Sequence, residues 1–353
     1  MENFITGIQQ CGIGTANAED AAQFYKTLFG MDILLFNDTA EAVLMKAYTG
    51  NIIQKRKAML TMNLMGGGGF ELWQFTERQA LRAHTPARIG DLGIYAIKIK
   101  CPDVHAAFKY FNTAAGCSVS PIQKNSNGQS HFWLQDKFGH LFNLVKADDL
   151  FNKSGKICAG VCGAVIGVSN MHESLRFYKE FLGISHESYN VHSAGIGPVS
   201  YKEEIFHSVL LCKQKADNGA FSQLLGGIQI ELIAAQNYCG TKIYENRFWG
   251  DIGFIHLCFD VLNMTGLKNK ASEYDYPFTV DSHASFAMEK AGGRFCYVED
   301  PDGTLVELVE THTVPILKKA GWYLHLKNRK NNKPLPAWMI KAMGFNKLKS
   351  TSQ

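Results

Sequence analysis

Short apolar runs, some alternating and some continuous, are separated along this chain by turn-forming clusters. An amphipathic stretch of helical period follows the first strand of each quarter. In the first quarter residues 8–15 read as a strand and 18–28 as a helix, with Asn17 as its N-cap and Gly30 as its stop. Strands are predicted near 33–36, 42–47 and 59–65, and 69–75 closes the set. The third quarter copies this order: a strand at 164–168, a helix over about 171–181 capped by Asn170, then strands ending at 228–233. The second and fourth quarters are shorter, with helices near 104–111 and 262–273 and last strands at 141–145 and 305–309. The pattern strand-helix-strand-strand-strand thus occurs four times.

Local sequence repeats in step with these elements. Phe24-Tyr25-Lys26 before Gly30 recurs as Phe177-Tyr178-Lys179 before Gly183, at an offset of 153. Gly90-Asp91-Leu92-Gly93 recurs as Gly250-Asp251-Ile252-Gly253 at 160, and Gln135-Asp136-Lys137-Phe138-Gly139 as Glu299-Asp300-Pro301-Asp302-Gly303 at 164. A preserved order with a slowly drifting offset is what loop insertions produce in a tandem duplication, here of a unit of roughly 150 residues. The expected division is 1–150, 151–311 and a C-terminal extension over 312–353. The Phe-Tyr pairs read as core anchors of their helices.

Four polar residues interrupt apolar strands: Gln10, Glu71 in Gly69-Phe70-Glu71-Leu72-Trp73, His256 in Phe254-Ile255-His256-Leu257, and Glu307 in Leu305-Val306-Glu307. A carboxylate buried there needs a partner or a metal. Together they make a four-ligand nitrogen and oxygen set suited to a divalent ion (Zn, Ni, Co, Mn, Fe or Mg) with room for water, unlike a closed thiolate zinc site. Taken singly each has a plainer reading. Gln10 bonds a neighbouring strand, His256 is a satisfied core histidine, and the two glutamates are half-exposed strand residues.

The repeated Phe-Tyr-Lys…Gly helix and the Glu299-Asp300-Pro301-Asp302-Gly303…Glu307 segment resemble the vicinal oxygen chelate superfamily, which includes glyoxalase I, methylmalonyl-CoA epimerase, extradiol dioxygenases and bleomycin-resistance proteins. The resemblance covers residues 5 to about 311. It implies an α+β fold of four βαβββ modules forming two curved-sheet, glyoxalase-like domains. It also implies one ligand position on the first strand and one on the last strand of each module: Gln10 and Glu71, Ala96 and Asn143, Gly163 and Glu231, His256 and Glu307. In such four-module proteins the first and fourth modules share a site, so Gln10, Glu71, His256 and Glu307 are expected to converge. Ala96, Asn143, Gly163 and Glu231 would form a second site without metal.

By the same resemblance, Glu307 is the carboxylate that acts as base in glyoxalase I-like chemistry, and the expected activity is a metal-dependent lyase, isomerase or epimerase reaction beside a carbonyl. A non-haem dioxygenase of the same fold is the alternative, although the first histidine of its two-histidine triad falls at Gly163. A non-catalytic small-molecule binder of bleomycin-resistance type is the other. The basic residues that hold glutathione carboxylates in glyoxalase I fall at Gly14 and Ile252, and a polar position falls at Phe75. Lys290 and Arg294 lie near the remaining basic positions and are candidate substrate contacts with Phe75. The implied ligand is therefore a small-molecule carbonyl or thioester, less polar than the glutathione adduct.

Composition adds bounds. The 353 residues, 46% hydrophobic and 19% charged, suffice for two cores. No apolar run is long enough to span a membrane, and Met1-Glu2-Asn3-Phe4 lacks the basic flank of a secretory signal. Nine scattered cysteines fit reduced thiols, and the expected location is cytoplasmic. No nucleic-acid partner is expected, and no oligomer is required because both half-sites lie in one chain. The net charge of +4 conceals a tail: residues 311–353 hold nine Lys and Arg and no acid. Its Trp322, Leu324 and Trp338 are expected to pack a terminal helix onto the body, broken by Pro334-Leu335-Pro336, with the lysines in water. If that tail folds over the cleft, Lys318 or Lys319 would be placed to meet an anionic group.

Overall fold

The computed structural model describes residues 4–198, 204–283, 286–327, 329 and 332–350; of the four residues read above for a leader, 1–3 lie outside these. The first module is β1 (Ile5–Gly14), α1 (Ala18–Phe29), β2 (Ile33–Glu41), β3 (Lys55–Met62) and β4 (Gly69–Phe75). The second is β5 (Gly93–Cys101), α2 (Val104–Phe111), β6 (Cys117–Val119), β7 (Gln123–Lys124), β8 (Ser130–Asp136) and β9 (Leu141–Lys146). The third is β10 (Val161–Gly167), α3 (Met171–Leu175), β11 (His186–Ala194), β12 (Ile205–Lys213), α4 (Ser222–Leu225) and β13 (Ile228–Ala235). The fourth is β14 (Gly253–Val261), α5 (Met264–Glu273), β15 (Val280–Asp281), β16 (Phe286–Met288), β17 (Ala291–Glu299) and β18 (Leu305–Leu317). β19 (Trp322–His325) and α6 (Ala337–Ala342) follow.

The four modules form two curved mixed sheets, as expected for this α+β class. One sheet runs β15-β17-β18-β14-β1-β4-β3-β2 and so joins the first module to the fourth; the other runs β11-β12-β13-β10-β5-β9-β8-β6 and joins the second to the third. At the centre of the first sheet β1 lies antiparallel to β14, β4 parallel to β1, and β18 parallel to β14. Strand alternation divides each strand between two faces. Cys11, Ile13, Leu72, Leu257 and Leu308 join the helices in a continuous core, leaving Gln10, Glu71, His256 and Glu307 on the opposite face.

The helices form where their caps and spacing dictate. In α1 the Asn17 side chain accepts the amide of Asp20, and Gly30 ends the helix at φ 65°. Its buried face, Ala18, Ala21, Ala22, Tyr25, Leu28 and Phe29, repeats at helical period. The Tyr25 hydroxyl reaches Asp136 Oδ2 of the second module at 2.7 Å, and Tyr178 reaches Asp300 Oδ2 of the fourth at 2.9 Å. The same carboxylates accept turn amides, from Phe138 and His140 in one case and from Asp302 and Thr304 in the other. The repeated Asp-x-x-Gly segments are therefore turns that clasp the helix of the preceding module.

Two expectations need correction. The predicted strand at 42–47 is a 3₁₀ turn, Val43–Tyr48, inside the connection between β2 and β3. Glu41 already pairs with Lys55, so the chain has to turn back here, and Ala42 and Met45 are buried at the three-residue spacing of such a turn. The expected helix at the start of the tail is a hairpin: β18 continues through 312–317 and β19 pairs back on it. The β-branched residues Thr313, Val314 and Ile316 favour strand there, and Val314 and Ile316 are buried. The tail turns helical only at Ala337–Ala342, beyond Pro336. Of the tail's lysines, Lys330 lies outside the described residues.

Candidate metal centre

The strand register brings the four candidates together. Gly12 of β1 faces His256 on one side and Glu71 on the other, while Gln10 faces Cys258, which in turn faces Glu307. Four adjacent central strands, β4, β1, β14 and β18, thus contribute one side chain each. Gly12 makes this possible: a Cβ there would lie 2.4 Å from the His256 ring.

His256 Nε2 lies 3.3 Å from Glu71 Oε2 and 3.2 Å from Glu307 Oε2. Gln10 Nε2 donates to Glu71 Oε2 at 2.9 Å and to Glu307 Oε2 at 3.3 Å. One ligand atom from each of Glu71, His256 and Glu307 lies within 4.8 Å of the others, and all three residues are buried. Tyr297 holds His256 Nδ1 at 3.1 Å, and the Trp249 ring lies nearly parallel to the imidazole. Fixing Nδ1 leaves Nε2 free to face the carboxylates, the arrangement that orients histidine ligands. Burial alone would push the imidazole's pKa down, but the Glu307 and Glu71 carboxylates override it and push it up to about 9.

These residues fit a divalent cation. Two carboxylates converge on one buried point with one imidazole between them, so the cluster favours added positive charge. Gln10 Oε1 is buried without a hydrogen-bond partner, and His256 Nε2 faces only the two carboxylates; both are atoms able to ligate a metal.

The weaker substrate candidates fare differently. Phe75 lies on the Glu71 face but four residues along β4, beneath the Arg78 guanidinium and against Gly250, away from the cluster. Lys290 is exposed, over the ring of Tyr323. Arg294 does line the chamber beside the cluster, but its guanidinium is committed to Asp281, with Nε–Oδ1 at 3.0 Å and Nη2–Oδ2 at 2.7 Å. Lys318 is paired with Glu289 and Lys319 is exposed, so neither reaches the chamber. Gly14 packs against the Asp251 carbonyl, where a Cβ would come within 1.8 Å, so no side chain is admitted there.

The second sheet repeats the register with other residues. Val165 faces Ala96 and Glu231, and Gly163 faces Lys98, which faces Asn143. Lys98 therefore stands where Cys258 stands in the first sheet. Its ammonium lies 2.7 Å from Glu231 Oε2 and 3.5 Å from Asn143 Oδ1. Tyr189 and Ser208 donate to Glu231 Oε1, and Asn143 Nδ2 donates to His131 Nδ1. Lysine thus supplies the positive charge in this cleft. Burial would raise the Glu231 carboxyl, but Lys98 and Tyr189 hold it below its usual value. Burial, helped by Lys98, pushes the His131 imidazole down to about 4. Lys98 was missed from sequence, although Ile97-Lys98-Ile99 breaks an apolar strand in the same way as Glu71.

A family model, the Glyoxalase/Bleomycin resistance protein/Dioxygenase superfamily, matches residues 7–144. The matched segment spans the first two modules. Solved structures share its fold over most of both chains. A proposed dioxygenase of Bacillus subtilis is 12% identical, with 88% of this chain and 86% of that one covered at a TM-score of 0.54. Glyoxalase I of Zea mays is 14% identical, with 86% and 92% covered at 0.50. No curated protein matches the sequence. Among the described residues no helix is long and apolar enough to cross a membrane.

Proposed function

We propose that the protein is a metal-dependent enzyme that moves a proton on carbon beside a carbonyl, with Gln10, Glu71, His256 and Glu307 as the ligand set. The observation carrying this reading is the buried convergence of the four side chains, with His256 Nε2 facing both carboxylates and Gln10 Oε1 unpartnered. A bound divalent ion would polarise the carbonyl and stabilise an enolate oxygen. Glu307 would take and return the carbon-bound proton. Its side chain is 9% exposed against 2% for Glu71, so it is the carboxylate more open to the chamber. Gln10 and His256 would hold the cluster's geometry, and Tyr297 would keep Nε2 of His256 directed inward. The apolar surroundings exclude water from the carboxylate that carries the proton.

The test is metal analysis of the purified protein, followed by proton exchange into a panel of carbonyl compounds in heavy water. One divalent ion per chain, and deuterium appearing beside a carbonyl, are expected. Oxygen consumption with a bound ion would move the reading to the dioxygenase, and a chain that retains no ion would remove the enzyme reading.

A further inference from the structure

The metal cluster opens at Gln10, Glu71 and Glu307 into a chamber with about 850 Å³ free of protein atoms, part of it open solvent. Its walls are apolar. Leu60, Met62, Phe221, Leu225, Phe295 and Val314 are among them. Polar groups gather at one pole, where Gln9 and Thr311 join the cluster, linked by a 2.9 Å hydrogen bond from Gln9 Nε2 to the Thr311 hydroxyl.

Charge in the chamber is equally one-sided. Among the described lining residues the ionisable ones are Glu71, Glu307 and Arg294. Arg294 is clamped by Asp281, whose carboxyl is held far below its usual value mainly by Arg294 and Lys268 against the effect of burial. Apart from an ion held by the cluster, no uncommitted cation therefore remains among these residues for an anionic group on the body of a ligand. A carboxylate or phosphate placed there would lose its hydration without a partner.

Two segments outside the strand repeat build the walls. Fourteen residues connect β12 to β13 where six connect β3 to β4, and the extra length carries α4 with Phe221, Leu224 and Leu225. Although its flanking strands lie in the second sheet, α4 packs on β1 of the first. Gly7 admits it, since a Cβ there would lie 2.5 Å from that of Leu225. Met343, just after α6, closes another side.

We propose that the chamber takes a hydrocarbon-like group: the ligand is a carbonyl compound with an uncharged alkyl or aryl body and no anionic tail. This rests on the metal-enzyme reading only for the carbonyl; the apolar body follows from the walls alone. The test uses full-length protein stripped of metal and the neutral fluorescent probe N-phenyl-1-naphthylamine. Enhanced emission on binding is expected, with displacement by 2-decanone or 1-decanol at concentrations at least tenfold below those needed of decanoate. Ala291→Glu and Phe295→Glu, each checked for an unchanged thermal melt, should weaken probe binding at least tenfold. Should one of these fail to fold, the decanol-to-decanoate ratio decides by itself. Absence of probe binding, or equal displacement by decanoate, overturns the proposal. Probe binding by a chain that retains no metal sustains it while removing the enzyme reading, so the two fail separately.

Discussion

Lys98 and Cys258 occupy equivalent register positions, and the difference between them separates the two clefts. In the second cleft the Lys98 ammonium is fixed within the chain. Lys98→Met would leave Glu231 buried and unpaired, and a loss of about 3–5 kcal/mol of stability is expected from urea denaturation. The double variant Lys98→Met/Glu231→Gln keeps an acceptor for Tyr189 and Ser208 and should recover most of that loss. His131 adds a pH signature. Its folded pKa, about 4, lies below the ordinary histidine value of 6.5. The unfolded chain therefore binds the extra proton first, and stability is lost as pH falls from about 6.5 towards 4, by up to about 1.4 kcal/mol per pH unit. His131→Gln should flatten that part of the stability profile. In the first cleft, Glu307→Gln is expected to retain metal and lower turnover by about 10²–10⁴-fold, whereas His256→Ala should lose metal. Wild-type turnover by Glu307→Gln would remove Glu307 as the base.

At the scale of elements, the site depends on a residue that offers no donor at all. Gly12→Ala would place a methyl group against the imidazole of His256. Weakened metal retention is expected with every proposed ligand still present, measured by ion content after dialysis against a mild chelator. This dependence was not legible in sequence, because it arises from a cross-strand approach between residues 244 positions apart. What was legible followed from local rules: α1 from its Asn17 cap, Gly30 stop and buried face, and Glu71 from a lone carboxylate inside Gly69-Phe70-Glu71-Leu72-Trp73. The turn at Val43–Tyr48 and the hairpin of β18 with β19 were not. Each is set by where the chain must return to a partner, which short apolar runs do not encode. Phe75 lies on the face of Glu71 but against Gly250, because alternation fixes a residue's face and not its distance along the strand.

At the scale of the molecule, two kinds of contact link the modules in a closed circuit. The sheets join first to fourth and second to third, while Tyr25–Asp136 and Tyr178–Asp300 join first to second and third to fourth. Neither sequence half therefore holds a complete sheet of its own. Fragments 1–150 and 151–353, produced separately, are expected to bind no metal at the cluster, and mixing or co-expression should restore it. Size-exclusion chromatography with metal analysis of each fraction checks this, and a metal-binding fragment 1–150 would contradict it.

The pairing of β1 with β14 also sets an order of events during synthesis. β1 leaves the ribosome well before the strand that faces it across Gly12, which ends at Val261. At about 5–20 residues per second, one edge of β1 waits on the order of 10–50 s for its partner. During that interval Gln10 and Glu71 lack the two side chains that complete their cluster, and an apolar strand edge is open to other chains. The cluster thus forms only once residue 307 has been made, and a chain halted before it lacks the cluster by construction.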